Sequence, residues 1–195
     1  RYAVMFTDDY SKHTWAFLLK KKSEVFSKFD LLRRRVQNVT GRQISRLRTD
    51  NGTEFKNRHF TKTCKVYGIR QEFTCPYSHQ SIGVSERKNQ TVVGAARCML
   101  SHSKFSPRWW GEAILHAVDI QNCQLTNTVE KGKTPHELWT GHKPHLLARE
   151  FGDKCYSHVA KEKRKKLSDR GEACLYLGNG HNQAGFRALR IRETK

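Results

Sequence analysis

The order in which strand-like and helix-like hydrophobic periods follow one another from Tyr2 to Thr126 is the strongest constraint on what this chain can fold into. Tyr2 to Phe6 and His13 to Leu19 are aromatic and aliphatic runs separated by the turn signal Asp8-Asp9-Tyr10-Ser11-Lys12, so they read as a β-hairpin. Ser23, Phe26, Phe29, Leu32 and Val36 then follow the three-and-four spacing of an amphipathic helix, which Gly41 ends. Ile44 to Thr49 reads as a buried strand running into Asp50. After the Asn51-Gly52 turn, Phe55, Phe60, Cys64 and Tyr67 suit a short helix closed by Gly68, and Ile69 to Thr74 a further strand. Cys75 to Gly83, rich in Pro, Ser and Gly, reads as a loop, and Val84 to Ser101 and Trp109 to Thr126 as helices. The order strand, strand, helix, strand, helix, strand, helix describes an α/β fold on a mixed sheet flanked by helices.

Pro135 to Trp139 is a short helical turn, and Gly141-His142-Lys143-Pro144 marks a boundary. Beyond it, Cys155 to Val159, Ala173 to Leu177 and Phe186 to Ile191 are short strand candidates around the run Lys161-Glu162-Lys163-Arg164-Lys165-Lys166. Residues 1–140 are therefore expected to form one α/β domain, and 141–195 a linker and a small, basic, partly barrel-like β domain. The chain starts at Arg1 and passes at once into a strand, which points to an internal segment of a longer polypeptide.

Charge narrows the partner. Lys and Arg number 37 against 18 Asp and Glu, a net +19 spread along the chain. Such an excess favours a polyanion, because cations that neutralise phosphates release condensed counterions. No run of about 18 apolar residues offers a bilayer span, and no charged-then-apolar amino terminus reads as a signal peptide, so nucleic acid is favoured over membrane. The six cysteines show no C-x-x-C pair and no regular framework, which suits reduced thiols of an intracellular protein better than a zinc site or disulfide scaffold.

Asp50 and Glu86, with 35 residues between them, carry the candidate chemistry. Asp50 stands where a buried strand meets a turn, the place where open α/β sheets present functional groups. Asn51-Gly52 lets the chain reverse behind it. Glu86, expected in the first turn of its helix, has the alternative role of complementing the helix dipole. Carboxylates from a strand end and a helix can converge on Mg2+ or Mn2+. Two such ions, about 3.5–4 Å apart, can activate the attacking oxygen and stabilise the leaving one in phosphodiester chemistry. Asp8, Asp9 and Glu54 are candidates for a further ligand, though Asp8 and Asp9 better suit the hairpin turn, and Glu54 a cap for the following helix.

Four segments carry a resemblance: Phe6-Thr7-Asp8-Asp9-Tyr10-Ser11-Lys12, Leu47 to Phe55 (Leu-Arg-Thr-Asp-Asn-Gly-Thr-Glu-Phe), Gly83-Val84-Ser85-Glu86-Arg87-Lys88-Asn89, and Trp110-Gly111-Glu112-Ala113. In this order they resemble the integrase of copia-type LTR retrotransposons, with the match running from Tyr2 to about Gly178. The resemblance implies an RNase H-like core that uses two Asp and one Glu to process the 3′ ends of element cDNA and join them to target DNA. It implies Mg2+ or Mn2+ as cofactor, a homo-oligomer in the intact parent, and a nuclear integration step. Asp50 falls on the second acidic position and Glu86 on the third. The first lies on a strand before Tyr2, so the fold is expected here without its first strand and the segment to be inactive alone.

Arg87, Lys88, Asn89 and Arg97, on or near the Glu86 helix, are candidates for holding DNA phosphates, contacts that position DNA without reading its sequence. Lys163, Arg164, Lys165 and Lys166 form the candidate remote DNA contact. Lys20 to Lys22 and Arg33 to Arg35 read as surface charge, and Trp109, Trp110 and Trp139 as packing residues rather than base-stacking platforms. Two rival functions remain: a degenerate or domesticated DNA-binding module without chemistry, and, with less support, a nuclease acting on RNA hybrids.

Overall fold

A computed structural model describes residues 2–73, 79–130, 132–144, 149–164, 166, 169–180 and 185–191. Strands β1 (Tyr2–Thr7) and β2 (Thr14–Leu19) form one two-stranded sheet. Asp8 shapes the turn between them: its Oδ2 accepts both the backbone N–H of Ser11 at 2.8 Å and the Ser11 hydroxyl at 2.7 Å. Asp9 pairs with Lys12 across the same turn. Both acids thus serve the hairpin, as their sequence context predicts.

By contacts the chain gathers into two compact units, Arg1–Met5 with Phe17–Asn89, and Phe6–Ala16 with Gln90–Lys195. In the first, α1 (Val25–Thr40) buries Val25, Phe29 and Leu32 along one stripe and ends at Gly41, whose φ of 67° suits a residue without a Cβ. Phe60 of α2 (Arg58–Val66), fully buried, gathers Phe26, Phe29 and Phe55 at ring distances of 5.2 to 5.5 Å. Arg33, expected as surface charge, is buried instead. Asp30 takes both its Nε and Nη2, and its guanidinium lies 3.7 Å from the Tyr67 ring centre. That pairing and stacking let a cation enter the interior.

β3 (Arg46–Thr49) and β4 (Arg70–Phe73) pair in parallel, with Arg46 opposite Arg70 and Arg48 opposite Glu72. The expected mixed sheet is therefore present as two pairs, β1-β2 and β3-β4, and no described strand bridges them. α3 (His79–His102) begins well before the expected Val84 and takes in residues predicted as loop. No proline falls between Pro76 and Pro107 to stop it, and a glycine such as Gly83 inside a helix costs only about 1 kcal/mol.

In the second unit α4 (Trp110–Cys123) buries Ala113, Ile114, Ala117 and Val118. The amide of buried Asn122 satisfies the backbone of Thr14 of β2, accepting from its N–H at 2.9 Å and donating to its carbonyl at 2.8 Å. α5 (Pro135–Thr140) starts with a reciprocal cap, Thr134 Oγ1 accepting from the Glu137 N–H and Glu137 Oε2 from the Thr134 N–H. Trp139 packs edge-on against Trp15, and Trp109, Trp110 and Trp139 are all half-buried. β5 (Lys154–His158), β6 (Gly171–Asn179) and β7 (Phe186–Arg190) form an antiparallel sheet around Cys155, Cys174 and Tyr176. Among the described residues this sheet stays open at three strands, so it is barrel-like only in part.

Candidate functional site

The alternation of β3 decides where Asp50 goes. Leu47 and Thr49 turn inward and are buried while Arg46 and Arg48 stay exposed, and the strand then delivers Asp50 to the surface at its carboxyl end. Asp50 Oδ1 accepts the backbone N–H of Gly52 at 3.1 Å, the side-chain-to-backbone bond that lets an Asp close its own turn. Two further turns follow, Phe55 N–H to Gly52 O at 3.0 Å and Lys56 N–H to Thr53 O at 3.3 Å.

Glu54 does not cap α2. Asn57 does, its Oδ1 accepting from the N–H groups of His59 and Phe60 at 3.0 and 3.1 Å. An Asn immediately before the helix outcompetes a Glu three residues further back. The Glu54 carboxylate returns to the Asp50 turn instead, with Lys22 Nζ 3.9 Å away. A Cβ built on Gly52 would lie 2.9 Å from Glu54 Oε2 and 3.0 Å from Asp50 Oδ1. Two carboxylates therefore flank one glycine, which leaves them room.

Glu86 belongs to the same unit as Asp50 and is exposed. Because α3 begins at His79, Glu86 lies in the third turn rather than the first. The helix dipole, which acts within the first turn, gives no account of a carboxylate there. Arg87 and Asn89 are exposed beside it. Lys88 is half-buried, and burial pushes its ammonium below the usual lysine range. Arg97 is exposed farther along α3, in the second unit. Of the basic run, Lys161–Lys163 form a short 3-10 turn, Arg164 is half-buried and Lys166 exposed. Lys165 and the Lys163 side chain lie outside the described residues.

Asp50, Glu54 and Glu86 offer hard oxygen donors of the type that suits Mg2+. Asp50 and Glu54 are the pair the structure visibly brings together. Among the described residues no group of three or more His, Cys, Asp or Glu side chains closes into a ligand cluster. No described helix is long and apolar enough to cross a membrane.

Four residues outside the sequence-predicted set lie on the exposed face of the β3-β4 pair. Glu72 is approached by Arg46 at 3.3 Å, Arg48 at 3.4 Å and Arg70 at 3.4 Å. The alternation of Arg46 and Arg48 around Leu47 is plain in the sequence, but the cross-strand register that brings Arg70 and Glu72 beside them is not.

Residues 1–79 match the family described as Integrase core domain, and residues 153–195 the Retroviral polymerase SH3-like domain. The chain is 38% identical over 190 residues to the retrovirus-related Pol polyprotein of transposon TNT 1-94 from Nicotiana tabacum, across 96% of its own length. The chain matches the integrase region of copia-type retrotransposon polyproteins.

A second copia-type relative, the Pol polyprotein of transposon RE2 from Arabidopsis thaliana, is 29% identical across 98% of the chain. The chain spans 14% and 13% of the lengths of these two relatives. Among solved structures, a chain of the simian T-cell lymphotropic virus intasome in complex with PP2A regulatory subunit B56 gamma superposes with a TM-score of 0.57 at 22% identity. It covers 89% of this chain and 62% of that one. The HTLV-2 integrase catalytic core, solved with magnesium in a trimeric form, gives 0.51 at 22% identity, covering 68% and 80%. These likenesses show the integrase-type, RNase H-like fold.

Proposed function

We propose that this chain is part of a retrotransposon integrase that binds DNA and, within its parent, processes the 3′ ends of element cDNA and joins them to target DNA. The observation that carries the reading is Asp50. An integrase-core strand with a buried inner face delivers this carboxylate to the surface, and the Gly52 N–H orients it. Glu86, exposed in the same unit, is its partner acid.

A divalent cation held by Asp50 and Glu86 would supply Lewis-acid activation of the phosphodiester. The chain's own residues hold and place the substrate. Arg87, Lys88 and Asn89, beside Glu86 on α3, contact phosphates, and Arg97 and the basic run through Lys163, Arg164, Lys165 and Lys166 in the second unit are further DNA contacts. The working assembly is a homo-oligomer, a reading supported by the trimeric form of one structural relative, and it acts on nuclear DNA.

Joining of labelled DNA ends to a plasmid by the parent integrase containing this chain tests the reading. Joined product that requires Mg2+ or Mn2+ and disappears in Glu86→Gln supports it. Product formed equally by Glu86→Gln overturns the assignment, and DNA binding with no joining under any cation favours a binding module without chemistry.

A further inference from the structure

The integrase reading leaves unexplained why three arginines gather on one exposed patch of the β3-β4 pair. Parallel register sets Arg46 beside Arg70 and Arg48 beside Glu72. Strand alternation puts all four side chains on the same face, opposite buried Leu47 and Thr49. Glu72 Oε1 faces the Nε of both Arg46 and Arg70, and Oε2 faces Nε and Nη2 of Arg48.

One carboxylate cannot neutralise three guanidinium groups, so the patch keeps an excess of two positive charges. All four approaches are 3.3 to 3.4 Å, longer than the about 2.7–2.9 Å of a close charge-assisted bond. Glu72 therefore holds the cations together without saturating them. Each guanidinium carries five N–H donors in a planar fork matched to phosphate oxygens. Of these, Glu72 accepts two from Arg48, while Arg46 and Arg70 approach it through Nε at ion-pair distance. Arg46, Arg48 and Arg70 remain exposed, Arg70 at 76%.

Like charges crowded on a surface repel one another, and an arriving polyanion relieves that repulsion while releasing its counterions. Arg48 lies two residues before Asp50, about 7 Å along an extended strand. A phosphate held there lies next to the acid.

We propose that Arg46, Arg48 and Arg70, gathered by Glu72, form a phosphodiester-binding surface that guides a DNA strand to Asp50. Glu72 is a positioning residue that occupies the site until phosphate displaces it. The proposal rests on the DNA-binding reading above but concerns residues that reading does not use.

The test is fluorescence anisotropy of the 195-residue chain with a labelled DNA duplex, titrated between about 50 and 200 mM salt. The variants are Arg48→Gln, Arg70→Gln and Glu72→Gln, with exposed Lys65→Gln of α2 as a matched loss of charge elsewhere, each checked for folding by circular dichroism. Each arginine variant is expected to weaken binding about tenfold and to lower the salt slope by about one, with Lys65→Gln close to wild type. Glu72→Gln, which frees the guanidiniums, is expected to bind several-fold more tightly. Wild-type binding with a steep salt slope that is equally strong in folded Arg48→Gln and Arg70→Gln overturns this inference and leaves the integrase reading standing. Tightening absent from folded Glu72→Gln removes the placeholder role. A wild-type chain that binds no DNA at any of these salts overturns the underlying reading together with the inference.

Discussion

The backbone N–H of Gly52 donates to Asp50 Oδ1 at 3.1 Å, so the turn behind the strand fixes one oxygen of the carboxylate that leads the proposed chemistry. Gly52 is also the point both acids crowd. Adding a methyl there meets Asp50 Oδ1 at 3.0 Å and Glu54 Oε2 at 2.9 Å, the far ends of two movable side chains rather than backbone. Gly52→Ala is therefore expected to cost no more than about 1 kcal/mol of stability while displacing both carboxylates. Thermal melting near wild type combined with lost DNA joining in the parent integrase is the expected pattern. Full joining activity shows that the carboxylate placement is not critical.

Asn57, rather than Glu54, satisfies the first donors of α2. Asn57→Ala is expected to cost about 1 kcal/mol, measured by urea denaturation, and Glu54→Gln much less. The reverse ranking contradicts the assignment of the cap.

The legible part of the fold is set by local chemistry. Ile44 to Thr49 reads as a strand running into Asp50, and the structure keeps the strand from Arg46 but buries only Leu47 and Thr49, leaving Arg46 and Arg48 exposed rather than the whole strand buried. The Asp50-Asn51-Gly52 turn announces its end. The Asp8 turn is legible because Ser11, its hydrogen-bond partner, lies three residues away. What stays hidden depends on long-range register or burial. Glu72 gathers Arg48 from 24 residues away, and Arg33 goes inside because Asp30 and Tyr67 both receive it. The start of α3 departs from expectation because Ser and Gly composition signals a loop, whereas the backbone here continues helical with no proline to prevent it.

Asp119 of α4 gives a pH signature. Burial pushes its carboxyl up to about 7, and the neighbouring Arg187 offsets that only in part. In the folded chain the group holds its proton between about 4 and 7, where the unfolded chain has released it. The folded state therefore binds more protons in that window. Asp119's contribution is fully present below the unfolded value near 4 and is lost as pH rises to about 7. Denaturant melts of wild type and Asp119→Asn are expected to differ in pH dependence over this window, the wild type losing stability relative to the variant as pH rises. Parallel curves contradict a half-buried, proton-holding Asp119. Cys123, pushed up to about 11 with Asp119 as a secondary cause after burial, should fall in thiol pKa when Asp119 is neutralised.

Gly178, at φ 132°, sits where β6 departs from regular pairing. A Cβ there would come 2.7 Å from Arg187 Nη2 and 3.4 Å from His116 Nδ1. Arg187 also pairs with Glu112 of α4 and donates to Asn179 O at 3.1 Å. Gly178→Ala is expected to cost about 2 kcal/mol, from backbone strain and the displaced guanidinium together. Calorimetry showing an unchanged melting temperature contradicts this packing.

The measurement that tests the central assignment most directly is strand transfer by the parent integrase carrying Asp50→Asn, set beside Asp9→Asn, whose acid pairs with Lys12 in the hairpin turn. The expected result is no joined product from Asp50→Asn, with DNA binding retained, and wild-type yield from Asp9→Asn. Joined product at wild-type yield from Asp50→Asn contradicts the assignment of Asp50 as a catalytic acid.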